Sequence, residues 1–350
     1  MLGIDARSAR AAWTVFLVGL VIYLTYVIRR TLLIFTAALL FSYLLAPVVD
    51  RIDKELTHRR SRTIALAVVY LVLLALLVTA GALVGGAVVS QASNLAAHVP
   101  DLVKRISDPS SWPVPVWMES RRVELTAALP GWIEEHAKDV VPVLQRAGFG
   151  LLGVLTDLPF LVLVPILSFF MLKDGSGILA AFLEVLPEGP VRAASKDILR
   201  DVHVLLLQFI RATVILCVLT FLVYVTLFVV VGVPYPVLLA AIAGALEFLP
   251  FVGPLSAAVI IVVVSGFSGF SGVLWLVVFF LVYRLFQDYV VQPFLMSSGI
   301  ALHPLLVIFG VIAGEQIGGI AGMFLSIPVL ATLRIVFVRV RRQVSVAVVA

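Results

Sequence analysis

Residues 247–255 read EFLPFVGPL and lie in the middle of an apolar stretch that runs from about 236 to 265. An acid, two prolines and a glycine fall within those nine positions. Pro250 and Pro254 lack the amide hydrogen that a helix interior needs, and Gly253 between them tolerates positive φ, so a continuous helix is not expected here. In a bilayer such a break must be buried in protein or line a water-filled cavity, because lipid gives free N–H and C=O groups no partner. Two half-helices joined by PFVGP are therefore predicted. Their exposed helix ends are groups that can hold an ion or polar solute near the midplane, with Glu247 beside them. The competing reading makes Glu247 an interfacial residue at a hairpin tip, or simply a partner for Arg211 or Arg284.

Composition places the whole chain in a membrane. Of 350 residues, 62% are hydrophobic and 13% charged, and the mean hydropathy is +1.16, well above an ordinary soluble domain. Apolar runs fall at roughly 11–28, 31–49, 63–89, 149–172, 204–231, 236–265, 272–294 and 303–338. Several exceed the ~20 residues a spanning helix needs, and the short alternating segments of a membrane barrel are missing. The expected fold is an all-α integral membrane protein of about eight transmembrane helices, with a broken or re-entrant segment around 247–255. The first run, Trp13 to Ile28, has no small-residue cleavage site after it and reads as a retained span.

The formal charge of +5 points to membrane orientation rather than nucleic acid, because the basic residues flank the spans. Arg51, Lys54, Arg59, Arg60 and Arg62 follow the second run, and Arg334, Arg339, Arg341 and Arg342 end the last. Both clusters are expected on the cytoplasmic side of a cell (inner) membrane, with both termini inside. Arg29 and Arg30 are the exception: they fall in the first hairpin, on its outer side, unless the first two runs are shallow or tightly hinged. The single cysteine, Cys217, excludes an intrachain disulfide.

Three regions are expected: residues 1–90 with three spans, an outward-facing polar segment 91–147, and a transport region 148–350 of about five spans. In 91–147, Leu95, Val99, Leu102, Val103 and Ile106 recur at helical spacing, Pro109, Pro113 and Pro115 then interrupt, and Trp112 and Trp117 suit a headgroup-level anchor. A cytoplasmic helical segment is expected over 173–203, with Leu199, Val202 and Leu206 on one face and Lys196, Asp197, Arg200 and Asp201 on a solvated one.

Signals of catalysis are weak. GFGLLG at 148–153 matches a dinucleotide fingerprint by letter, but it opens a span rather than following a strand, so its glycines read as close helix contacts. His58, His98, His136, His203 and His303 are scattered and no metal-ligand spacing occurs. Neither an enzyme, a cofactor nor a metal site is expected.

Polar side chains inside spans are costly and usually face a bundle interior or a water-filled path. Here they concentrate in the C-terminal half: Gln208 and Arg211, then Glu247, then Arg284, Gln287, Asp288 and Gln292, then Glu315 and Gln316. Arg284, Gln287, Asp288 and Gln292 share one helix face, where Arg284 and Asp288 either pair with each other or line a path while paired. In the last run Gly310, Gly314, Gly318, Gly322 and Ser326 recur every four residues with Gly319 alongside. Such a ladder reads as a packing seam, or as a hinge or broken helix on which the bundle rocks.

Across most of its length the chain resembles the autoinducer-2 exporter family, also described as PerM-like permeases. The resemblance rests on FFMLKDG at 169–175, VGVPYPVLLAAIAGALEFLPFVGP at 231–254 and the stretch from VVQPFLMSSG at 290 through LHPL to SIPVLA at 331. These segments place Pro250, Gly253, Pro254, Gln287, Pro293, His303, Pro304 and the glycine ladder in the family pattern. The resemblance implies a secondary transporter that forms a homo-oligomer, with a pentamer as the candidate state, and that exports a small polar solute such as autoinducer-2, the quorum-sensing furanone with whose export family members are associated. Some members look like sodium/proton antiporters. Three readings stay open: a solute exporter rocking around the broken sixth run, a cation/proton antiporter using Glu247 or Asp288, and a structural or regulatory membrane scaffold.

Overall fold

The structure, a computed structural model, describes residues 6–55, 62–107, 158–295 and 302–349; Pro109, Trp112, Trp117, His58, Arg59, Arg60, His136 and the glycines of 148–153 lie outside the described residues. The described chain is helical, with no strand in it. Its elements are α1 (Ala6–Val27), α2 (Arg29–Glu55), α3 (Arg62–Ala80), a π-helical turn (Gly81–Gly85), α4 (Gly86–Ser107), α5 (Leu158–Glu184), α6 (Pro190–Val231), α7 (Pro236–Leu246), α8 (Val252–Phe267), α9 (Val273–Phe286), a second π-helical turn (Gln287–Val291), α10 (Gln292–Leu295) and α11 (Pro304–Val349). Six helical stretches among them are long and apolar enough to cross a bilayer. The all-α membrane architecture expected from the sequence is thus the one found.

The chain divides into two compact units, Met1–Leu66 with Asp157–Leu179, and Ala67–Thr156 with Ala180–Ala350. In the first, α2 buries Ala38, Ser42, Leu45 and Val49, residues three and four apart that form one helix face. Arg62 and Asp50 pair across 3.3 Å in a half-exposed setting. The expected hairpin between the first two runs does not exist. The Ile28 N–H donates to the Leu24 carbonyl and the Leu32 N–H to the Ile28 carbonyl, both at 2.9 Å, so helical bonding carries α1 into α2 end to end. With no Pro or Gly at residues 26–32, nothing in the local chemistry forces a reversal.

The second unit is built on α6, whose 42 residues make it about 63 Å long, roughly twice the hydrocarbon thickness. Its polar first turns and its apolar remainder are one rod, so the helical segment expected over 173–203 is divided among the end of α5, a turn at 185–189 and the first turns of α6. Gly232, at φ 78, ends α6 with its N–H on the Phe228 carbonyl, a left-handed cap that suits glycine. Tyr235, also left-handed at φ 54, hands the chain to Pro236 at the start of α7. The chain then doubles back. A Cβ on Gly244 would stand 2.9 Å from the Cys217 carbonyl oxygen, so α7 runs down α6 at a separation only glycine allows.

The break predicted at 247–255 occurs at residues 247–251. The turn satisfies its own backbone: the Glu247 N–H donates to the Ala243 carbonyl, the Phe248 N–H to Ala245, the Leu249 N–H to Leu246 and the Gly253 N–H to Leu249. Phe251 carries φ 62, strain that a bulky residue accepts only where its surroundings impose it. A Cβ on Gly253 would collide with the Leu246 carbonyl, which explains the glycine between two prolines. α8 then leads away to Phe267 and α9 returns, bringing Tyr283 and Gln287 back to the level of Glu247. Between these helices lies the main core, with Leu238, Leu239, Ile261, Leu276 and Phe228 nearly or wholly buried.

The eighth run is a helical hairpin rather than one span. Helical geometry fails at Gly318 (φ −138, ψ 15) and Gly319 (φ 58, ψ −140). A Cβ on Gly314 would strike the Gly322 carbonyl, one on Gly322 the Gly314 carbonyl, and one on Gly310 the Leu330 side chain. The ladder is therefore a packing seam, but between two limbs of the same segment. The third run differs in the opposite sense: α3, its π turn and α4 follow without a gap, so the amphipathic helix expected after residue 91 continues the span. Its predicted apolar face is buried at Leu95, Val99 and Leu102, each 5% exposed; the side chains of Val103 and Ile106 lie outside the described residues.

Candidate functional site

Four elements of the second unit converge at the break. Glu247 caps the end of α7, Thr220 comes from α6, and Tyr283, Arg284 and Gln287 come from the end of α9 and its π turn. The Glu247 side chain is 7% exposed and Gln287 is 2% exposed, so both are buried, while Arg284, 32% exposed, stands at the edge of the cluster.

The hydrogen bonds form a closed set. The Thr220 hydroxyl donates to Glu247 Oε2 at 3.3 Å. Gln287 Nε2 donates to Thr220 Oγ1 at 3.0 Å and to Glu247 Oε1 at 3.3 Å. The Tyr283 hydroxyl lies 3.1 Å from Thr220 Oγ1. A hydroxyl has one hydrogen and two lone pairs, so with its hydrogen on Glu247, Thr220 accepts from Tyr283 and Gln287 and is saturated. Every donor in this relay points toward the carboxylate. Unmet, buried groups of this kind are each unfavourable by about 1–3 kcal/mol; together they hold one another.

Charge enters from α9. Arg284 Nη1 stands 3.8 Å from Glu247 Oε1, while its Nε and Nη2 each lie 3.1 Å from an oxygen of Asp288. The guanidinium thus grips Asp288 with two donors and faces Glu247 with a looser third. Gln292 Nε2 donates to Asp288 Oδ1 at 3.0 Å. One cation therefore serves two carboxylates. The outer wall is aromatic: the Tyr224 ring stacks with Phe280 at 5.6 Å and meets Phe279 and Tyr283 edge-on, both at 5.2 Å.

Among the residues singled out from sequence, Glu247, Arg284, Gln287, Asp288 and Gln292 come together, and Pro250, Gly253 and Pro254 shape the turn that presents Glu247. Arg284 and Asp288 pair as their spacing suggested, and Arg284 reaches Glu247 as well. Arg211 is exposed on α6, and its nine-residue separation from Thr220 places it about 13 Å away along the helix. Glu315 and Gln316 are exposed in the last turn before the Gly318–Gly319 break. Thr220, Tyr283 and Tyr224 were not singled out. The buried stripe Thr213, Cys217, Thr220, Tyr224 and Phe228 on α6 steps by three and four, and its hydroxyls were the available signal.

The second hairpin reaches the same level from the other direction. Phe324, just past the Gly319 break, has its ring 5.5 Å from Phe248 beside Glu247 and 5.6 Å from Phe209 on α6. Farther along the same limb, Arg339 Nε donates to Asp201 Oδ2 at 2.9 Å. Contacts at 209 with 324 and at 201 with 339 make this limb antiparallel to α6 and put its tip near the cluster.

Comparison with other proteins gives a consistent result. Residues 12–342 match the sequence profile of the family described as AI-2E family transporter. YueF of Bacillus subtilis (strain 168) is 23% identical over 328 residues, 89% of this chain and 87% of the relative. YrrI of the same organism is 26% identical over 200 residues, 57% of this chain and 56% of the relative. PerM of Escherichia coli (strain K12) is 29% identical over 185 residues, 52% of each. The names of the first two propose a transport protein, and that of the third a permease.

Proposed function

This chain belongs to the AI-2E transporter family, and on that premise we propose that it is a secondary transporter that moves a small polar solute through the cluster at the 247–251 break. The observation that carries the reading is a satisfied polar network, Glu247 with Thr220, Tyr283 and Gln287, buried at the turn of a broken helix. Membrane proteins keep such groups at depth chiefly where a polar substrate or ion must pass. A mixed set of hydroxyl, amide and carboxylate groups, walled by aromatic rings, suits a small oxygen-rich molecule, and a furanone or polyol such as autoinducer-2 has that chemistry. Two broken segments with neighbouring tips supply elements that can part alternately toward each side, which is the alternating access we propose. A homo-oligomer in the cell membrane belongs to the same reading.

A cation/proton antiporter is the second reading, favoured by the arrangement around Glu247. Its oxygens are met by neutral donors and a guanidinium no closer than 3.8 Å, so a proton or small cation can compete for the carboxylate. One experiment separates the readings. Purified protein is reconstituted in vesicles holding isotope-labelled autoinducer-2 and a pH-sensitive dye. Solute export requires labelled efflux, reduced about ten-fold or more by Glu247→Gln, which keeps the shape but removes the charge. Antiport instead requires cation-dependent dye response abolished by the same change. Absence of both fluxes, with only a shift in thermal stability, overturns transport and leaves the scaffold.

A further inference from the structure

The hairpin α7–α8 is held at both ends by one helix. Gln91 Oε1, on α4, accepts a hydrogen bond from the Leu238 N–H at 2.9 Å, in the first turn of α7. Arg105 Nη1, fourteen residues farther along α4, donates to the Phe267 carbonyl at 3.2 Å, at the last residue of α8. These contacts match the polarity of the helix ends: an acceptor meets free amides at an N-terminus and a cation meets free carbonyls at a C-terminus. Between them Ala92, Leu95 and Leu102 pack in the same buried cluster as Ala243, Ala257 and Ile261. The grip extends about 21 Å along α4.

On its other side α4 is joined to α3 by the π turn Gly81–Gly85, with Gly86 next. Among the described residues, a Cβ at Gly81, Gly85 or Gly86 would meet no heavy atom within 4 Å, so close packing among them does not account for these glycines. Each is unfavourable by roughly 0.8–1 kcal/mol against alanine in a helix interior. Among the described residues nothing braces the rod leading to the turn: Leu71, Leu74, Leu77, Val78 and Leu83 are 57–75% exposed. Three glycines, a widened turn and no lateral support coincide at one place, where single-turn π segments and glycine pairs bend helices.

We propose that α4 is a strut bearing the hairpin that presents Glu247, that Gln91 and Arg105 are the positioning residues that fasten it, and that the glycine π turn is the hinge on which strut and hairpin tilt as one body. The inference takes its purpose from the transport reading, but the motion is measured without a substrate. In full-length protein with Cys217→Ala, spin labels are placed at exposed positions by Leu74→Cys and Ala97→Cys, and distances are recorded by pulsed electron resonance in lipid nanodiscs. Replacing Gly81, Gly85 and Gly86 together with alanine narrows this distribution to about half its width while thermal stability holds or rises. An unchanged width overturns the hinge. So does dissociation of the protein's native assembly by the three alanines, because the glycines would then serve contact with another copy.

A second label pair, Ala97→Cys with Val259→Cys, reports the fastening. Gln91→Leu with Arg105→Gln broadens it about two-fold, and Gln91→Glu with Arg105→Lys, which keep an acceptor and a donor, restore it. No broadening overturns the strut. Labelled autoinducer-2 efflux is read in parallel: a hinge variant as active as wild type sinks the proposal, whereas a wild type without efflux sinks the solute-export reading and leaves the distance results to stand.

Discussion

Thr220 is saturated by three partners, and the consequence reaches every residue around it. Gln287 supplies two of the cluster's donor contacts from a single amide nitrogen, so removing it leaves a hydroxyl lone pair and a carboxylate oxygen short at once. Gln287→Leu is expected to destabilise the protein by about 1–3 kcal/mol, read as a fall in melting temperature in detergent. Thr220→Val combined with Gln287→Leu is expected to lose less than the sum of the single changes, since both act on one network. An additive result would mean that these groups do not interact. Sequence reasoning reached Glu247, Arg284 and Gln287 because a charge or amide in an apolar run is conspicuous. It passed over Thr220 and Tyr283 because such residues are common in spans, and only their convergence with α7 gives them a role.

At the scale of an element, two hairpins depend on glycines that must stay bare. Gly253→Ala places a methyl against the Leu246 carbonyl, and Gly314→Ala places one against the Gly322 carbonyl; neither obstacle is a flexible side-chain end. Both variants are expected to open their hairpins, with a loss of about 2 kcal/mol or more in the manner of overpacked cores. Gly318→Ala, where φ is negative and nothing lies within 4 Å, is expected to fold as well as wild type. Circular dichroism melts of the three variants check the contrast, and a Gly318→Ala loss equal to the others would mean that the seam is misassigned. The first hairpin was legible because two prolines flank a glycine. The second was not, since a four-residue ladder fits one helix equally well. Its symmetry about 318–319, pairing 314 with 322 and 310 with 326, is visible only once a reversal is considered. The joined α1 and α2 misled in the opposite way: basic residues between two apolar runs look like a loop, yet a helix carries Arg29 and Arg30 without interruption.

Across the larger unit, the overhang of α6 gives the second hairpin its anchor outside the apolar zone. Arg339 meets Asp201 through two nitrogens and Asp197 through a third contact at 3.4 Å, joining the far end of α11 to the polar turns of α6. Sequence reading assigned Asp197 and Asp201 to a solvated face, because a partner 138 residues away leaves no local trace. The ion pairs are about one-third exposed on the arginine side, so salt screens them and their strength depends on both carboxylates acting together. Arg339→Gln is therefore expected to lower the melting temperature in dilute buffer and to differ little from wild type in concentrated salt. Arg339→Asp sets three acids against one another and is expected to be worse at low salt. Adding Asp201→Arg to it places the new arginine between Asp197 on its own helix, one turn away, and the acid at 339, so the double variant is expected to recover most of the loss. If it melts no higher than Arg339→Asp alone, the two helices are not joined through these charges, and the antiparallel seating of the second limb of α11 on α6 must come from apolar contacts such as Phe324 against Phe209 instead.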